Sequence, residues 1–379
     1  MVARQRLGVD VDPVGTRARI AVPMIRWSSM AGRMFVWGVV LPALVLATAG
    51  AGSATANSED VCPEPNDALQ AACNLGTASD ALGFISTPDD VDAYRVETHD
   101  YGARVRLALP DRPHPYRLTL IDYDGAVLHS TDAGTIDTTV DLPGTYYALV
   151  DSATGESDET VPYRIALGIK YPLGVEPTVL YSEEYGIATH AHMITAEGDS
   201  REDGFSDDVG RYRYEGGHLS VQLTTPGSPD KASATVFSIV ASDDPPPTMA
   251  DFTMTIDTQM VTPADAGYSV QFRTIDEDNH YQILVSLQEH EAKLSKMVNH
   301  KLVALTPWIA VPGVRETGIN RTIIRCVGTE IQASINGEPL PLVYDDTFSE
   351  GLVGFGAGTW GDPTTINFDN VLVTTPTRQ

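Results

Sequence analysis

The chain is poor in cations, in cysteine and in long apolar runs, and each shortage excludes something. Lys and Arg number 25 against 51 Asp and Glu in 379 residues, a formal charge of -26. With the six Arg and two Asp of residues 1–56 set aside, 19 basic and 49 acidic residues leave -30. A field of that sign repels phosphate, which argues against nucleic acid and anionic membrane as partners. It reads as solubility outside the cell, or as carboxylates that hold divalent cations. One uncharged apolar stretch, within residues 34–58, is long; no other approaches the roughly 20 residues of a spanning helix. Helical periodicity is nearly absent, and so are Gly-x-Ser-x-Gly and His-Glu-x-x-His; His290-Glu291 lacks the second His.

What is present begins with a leader. Scattered Arg precede the run FVWGVVLPALVLATAGAG, which ends in Ala54-Thr55-Ala56. These are the positive, apolar and small-residue regions of a secretory signal, so cleavage is expected after Ala56 and the mature protein is expected outside the cell, secreted or at the cell surface. Of three cysteines, Cys62 and Cys73 lie eleven apart in a Pro/Asn/Ala-rich segment. In an oxidising compartment they would close a short loop with a disulfide worth about 2–3 kcal/mol. Cys326 alternates with Ile and Val on an expected strand and reads as a buried, inert thiol.

Residues 57–170 read as a first domain of eight short strands, with turns at Asp124-Gly125 and Pro143-Gly144. Five landmarks occur in order: Glu64-Pro65-Asn66-Asp67, then Ala71 and Leu75, the run Pro88–Val96, a Leu-x-Leu-x-Asp-x-Asp-Gly strand from Leu118 to Gly125, and Leu142-Pro143-Gly144-Thr145-Tyr146. Together they resemble the bacterial pre-peptidase C-terminal domain, a non-catalytic β-sandwich appended to secreted enzymes. In collagen-binding members of that family, two acidic segments bind calcium. The resemblance carries that role onto Glu64, Asn66, Asp67, Asp89 and Asp92. Calcium wants six to eight oxygen ligands, and two segments bringing two or three each would suit it. The chain departs from the family where Cys62 replaces the first acidic residue, which removes a ligand. The plainer alternative is that these are solvated loop carboxylates.

Residues 171–179 are punctuated by Pro and Gly and lack alternation, so the linker is expected there, and a second domain follows over 180–375. Near its end, polar and apolar residues alternate through Ile323–Val327 and Ile331–Ile335, and Asn336-Gly337 closes a hairpin. The strand patterns 232–240 and 252–260 flank the acidic, proline-rich loop at 243–247 and are expected to pair with each other. Asp251–Asp257, Gly267–Arg273, Asn279–Val285, Glu291–Leu294 and Phe368-Asp369-Asn370-Val371 follow one another in an order similar to the concanavalin-like lectin and glucanase superfamily, laminin-G-like modules included. The fold class expected is therefore all-β: two β-sandwiches, the second a jelly roll.

A glycosidase on that fold needs two carboxylates about 5–5.5 Å apart for retention, carried on one strand as Glu-x-Asp-x-x-Glu. That spacing is expected to be absent from the chain, so no catalytic residue is assigned. Trp308 and Trp360 lie in Gly/Pro-rich loops and are either sugar platforms or packed loop anchors; Asp362 stands beside Trp360. His190 and His192 would share a strand face as a metal pair or lie on the surface. The expectation is a secreted binding or adhesion protein recognising an extracellular glycan or protein with calcium as cofactor. The competing readings are a glycan-active hydrolase and a structural surface component.

Overall fold

The computed structural model describes residues 60–76, 80–183, 193–194, 205–206, 210–215, 218–227, 233–239, 248–276 and 278–377. The leader, the His190/His192 pair and the 243–247 loop lie outside them. The described residues form strands throughout, apart from one 3-10 turn at Leu69–Ala71. The all-β expectation holds.

Two five-stranded sheets make the first sandwich. One runs Asp60–Val61, Asp80–Gly83, Tyr163–Lys170, Ala103–Asp111, Thr135–Val140; the other runs Cys73–Asn74, Val91–Thr98, Gly144–Ser152, Tyr116–Ile121, Val127–Thr131. Alternation sets the faces: Val105, Leu107 and Leu109 are buried while Arg104 and Arg106 between them are exposed. Their partners in the core are Tyr94, Val96, Leu118, Val150 and Ile165. The Cys62–Cys73 disulfide is formed, with Cα atoms 6.0 Å apart.

The second sandwich pairs a ten-stranded sheet with an eight-stranded one. In the larger, Thr365–Thr374 lies between His218–Leu223 and Phe252–Met260, followed by Ile319–Val327 and Glu330–Ile335. In the smaller, Ser233–Ile239, Leu352–Thr359, Ala266–Asp276, Asn279–Ser286 and Glu291–Val298 are neighbours in that order. The expected pairing of 232–240 with 252–260 is wrong. Those strands belong to opposite sheets, because the chain crosses the sandwich between them and each finds its partners far along the sequence. The Asn336-Gly337 hairpin is as expected: φ is 52° and 82°, the two left-handed residues of a type I′ turn. Phe355 stacks on Phe368 across the core at 4.5 Å, and Cys326 is buried there, its thiol pushed up to about 12 by desolvation.

Alternation also leaves a second apolar row on the far face of Ile319–Val327. Ile324 and Cys326 point into the core, so Arg321 and Ile323 point away from it, yet they are 0% and 1% exposed. The first sandwich covers them. Arg321 forks onto Asp257, with Nε to Oδ1 at 2.8 Å and Nη2 to Oδ2 at 2.7 Å. Its remaining donors reach the carbonyls of Thr145 (3.2 Å) and Pro143 (3.5 Å) in the first sandwich. The Tyr123 ring lies 4.0 Å from Arg321 Cζ. Gly144 sits against the same guanidinium with φ 117°, and a Cβ there would come within 2.8 Å of Cζ, so no larger residue fits. Tyr123 Oη also donates to Asn336 Oδ1 at 3.0 Å, which fastens the hairpin turn to the first sandwich.

Truncating one member of such a pair leaves a buried charge uncompensated and typically costs about 3–5 kcal/mol. Arg321→Ala is therefore expected to lower the unfolding free energy by that margin, read as a fall in the urea midpoint at unchanged m, while Arg321→Met combined with Asp257→Leu recovers most of the loss. An unchanged midpoint in Arg321→Ala would contradict this account of the interface.

Candidate functional site

The carboxylates of the first sandwich meet at one edge of it. Asp92 lies near the start of Val91–Thr98, and Asp90, which closes the turn just before that strand by donating its N–H to Thr87 O at 3.2 Å, falls on the same side. Glu64 lies inside the loop that the Cys62–Cys73 disulfide closes, and one oxygen from each of Glu64, Asp90 and Asp92 lies within 4.8 Å of the others. Main-chain bonds fix both segments: Ala93 N donates to Asn66 O at 3.0 Å, and Ser86 N to Asp90 Oδ2 at 2.5 Å. Beneath them Tyr163 donates to Asp92 Oδ2, and the Tyr94 and Tyr163 hydroxyls are 2.7 Å apart. Gly83 leaves the room: a Cβ would lie 2.6 Å from Tyr163 Oη and 2.7 Å from Asp92 Oδ2.

Crowding like charges in a partly dry site has a cost. Burial pushes the Asp92 carboxyl up to about 8 against the Tyr163 hydrogen bond, and Glu64 and Asp90 add to the rise. Glu64 is likewise raised, by burial and then by Asp90 and Asp67. The Asn66 amide fits the cluster in two ways. With its nitrogen toward the carboxylates it donates to Asp92 Oδ1 at 2.7 Å and Glu64 Oε2 at 2.9 Å. Turned over, its oxygen joins theirs and Nδ2 meets Cys62 Sγ at 2.9 Å. The first arrangement suits carboxylates alone; the second suits a hard cation among four side-chain oxygen groups. The donor set therefore fits calcium.

Of the residues singled out from the sequence, Glu64, Asn66 and Asp92 come together. Asp67 and Asp89 are exposed and lie outside the three-carboxylate group, which takes Asp90 instead. The signal for Asp90 was the period of two: it shares a face with Asp92, and Asp89 does not.

Trp308 and Trp360 are both half-buried. Trp360 follows Leu352–Thr359, and its backbone N–H donates to Asp265 O at 2.7 Å. Trp308 precedes Ile309–Ala310, and Lys293 Nζ lies over its ring at 5.7 Å. Both stand at the same end of the eight-stranded sheet, but three strands run between their positions, a gap of roughly 20 Å at strand spacing. They are not one platform. Asp362 is exposed, with its carbonyl accepting from Thr359 Oγ1 at 2.9 Å.

The face of the eight-stranded sheet turned away from the core is largely polar, with Leu284, Lys293 and Met297 in register among the polar residues, which are themselves 0–8% exposed. Cross-strand registers align Ser269, Gln271, His280, Gln282 and Ser295 on it, beside Gly354 and Gly356. Gln271 and His280 meet at 3.2 Å, and burial holds His280 below its ordinary value. His280 Nδ1 and Ser295 Oγ are buried without a partner. Glu291 closes one end of the face, opposite Ser286, and at the other end Asp276 and Asp278 lie close enough to His280 to act on its charge. The expected absence of Glu-x-Asp-x-x-Glu is wrong: the spacing occurs at Glu197, Asp199 and Glu202, a run that lies outside the described residues.

No protein-family profile and no curated protein matches the chain. Among solved structures, a carbohydrate-binding module from Bacillus subtilis is similar at 16% identity and TM-score 0.36, over 50% of this chain and 99% of that one. A Bacillus subtilis protein of unknown function with a galectin-like fold gives 15% and 0.39, over 53% and 98%. The laminarinase catalytic domain of Thermotoga maritima gives 8% and 0.37, over 54% and 100%. Each spans one half of this chain and nearly all of the neighbour.

Gly83→Ala is expected to drive Tyr163 and Asp92 out of position. The melting temperature should fall, and the near-ultraviolet signal of the Tyr94–Tyr163 pair should change; a variant that matches the wild type in both would show that the cluster has slack.

Proposed function

We propose that the chain is a secreted, non-catalytic recognition protein. Its second sandwich binds an extracellular glycan or protein, and its first sandwich holds a calcium ion at Glu64, Asn66, Asp90 and Asp92. The observation that carries the binding reading is the outward face of the eight-stranded sheet. Its middle carries amide, hydroxyl and neutral imidazole groups, two of them with buried atoms lacking partners, while Glu291 and Asp276 stand at its opposite ends. Such a face hydrogen-bonds hydroxyls, and these two carboxylates are too far apart to work as acid and base on one glycosidic bond. Bound calcium would neutralise the crowded carboxylates and tie the two loops that carry them. The Cys62–Cys73 disulfide supports an oxidising compartment. A second reading, hydrolysis, is favoured by the spacing of Glu197, Asp199 and Glu202 alone.

A glycan array with the mature protein, run with calcium and with chelator, tests the reading. Retention of particular glycans without turnover is expected, and release of reducing ends from any polysaccharide overturns the non-catalytic assignment. Calcium itself is read by thermal melting of the whole mature chain. The melting temperature should rise with calcium and stay unchanged in Asp90→Asn with Asp92→Asn; an equal rise in that double variant would place the ion elsewhere.

A further inference from the structure

Within a chain of charge -26, two arginines stand together on one exposed sheet face. Arg211 and Arg213 alternate along Gly210–Glu215 and so share a side. Registers set Arg211 opposite Gln222, which pairs with Thr365, and Arg213 opposite Ser220, which pairs with Asn367. The result is two polar rows across three strands, spanning roughly 10 Å by 7 Å at strand dimensions. Arg211, Arg213, Ser220, Gln222 and Thr365 line a groove of about 260 Å³. Asn367, at the end of the second row, has a buried Oδ1 with no partner. Among the described residues neither guanidinium forms an ion pair, although acids outnumber bases two to one in the chain. The face is the one on which the first sandwich docks, but that contact uses Arg321, Asp257 and the Asn336 turn on the other side of Thr365–Thr374.

We infer that this groove binds the anionic group of an acidic saccharide, a carboxylate or a sulfate ester. This rests on the recognition reading and narrows its ligand class. Paired guanidiniums match the planar, forked acceptors of a carboxylate and equally the oxygens of a sulfate. Ser220, Gln222 and Thr365 supply the neutral hydrogen bonds a pyranose ring needs beside its charge.

The test titrates the full mature protein calorimetrically with short oligogalacturonate, short chondroitin sulfate oligomers and a neutral oligosaccharide of equal length, at two salt concentrations. One acidic oligomer should bind at least tenfold more tightly than the neutral one, and weaken as salt rises. Which one binds distinguishes carboxylate from sulfate. Arg211→Gln with Arg213→Gln should lose that tenfold and leave neutral-glycan binding and the melting temperature unchanged; Arg211→Lys with Arg213→Lys, which keeps the charge but not the fork, should fall between. If neutral glycans bind and acidic ones gain nothing, or if the Gln variant binds acidic oligomers as well as wild type does, this inference fails by itself. If none of the three oligomers binds, this inference fails, and the glycan array decides the recognition reading separately.

Discussion

The buried ion pair of Arg321 with Asp257 is the constraint on which the arrangement depends. Its charges are 0% and 3% exposed and belong to one sandwich, yet the guanidinium reaches carbonyls and tyrosine rings of the other. Such a pair taken from water would be expensive alone. It is tolerated here because every face of the guanidinium is answered: Asp257 at the fork, Thr145 and Pro143 at the free donors, Tyr123 on the ring side, and Asn370 donating to Asp257 at 2.9 Å behind it. Only the docked first sandwich completes that set, so the same pair that would weaken an isolated second sandwich specifies where its partner sits.

Fixing that contact fixes the relation of the other features. The carboxylate cluster lies at an edge of the first sandwich, on the strand Val91–Thr98, whose neighbour Gly144–Ser152 carries the Thr145 carbonyl that Arg321 meets. The Arg211–Arg213 groove lies on the sheet that carries Arg321, across Thr365–Thr374 from the contact. The polar face of the eight-stranded sheet is on the opposite side of the second core. The carboxylate cluster, the arginine groove and the polar sheet face are thus held by one joint.

Much of the fold was legible because β-structure writes a period of two. All eight strands expected in the first domain are found, and Asn336-Gly337 turned the chain as its residue types require. What failed was non-local: strand 233–239 resembles a partner for 252–260 in sequence, and only the crossing of the chain between sheets separates them. The site was half legible. The acidic segments could be picked out, but choosing Asp90 over Asp89 needed the phase of a strand whose start lies in a turn. The partnership of Arg321 with Tyr123 could not be read at all, since nearly two hundred residues separate them and neither sits in a distinctive local pattern. Arg211 and Arg213 were invisible for a like reason: their meaning comes from Gln222 and Thr365 on strands far along the chain.

The central claim, that the two sandwiches form one body clamped at Arg321, is tested most directly by a distance between spin labels placed at Ser130 in the first and Glu350 in the second, both exposed. The account predicts a single narrow distribution for the mature protein, broadening in Arg321→Ala. A broad distribution in the unmodified protein would contradict it.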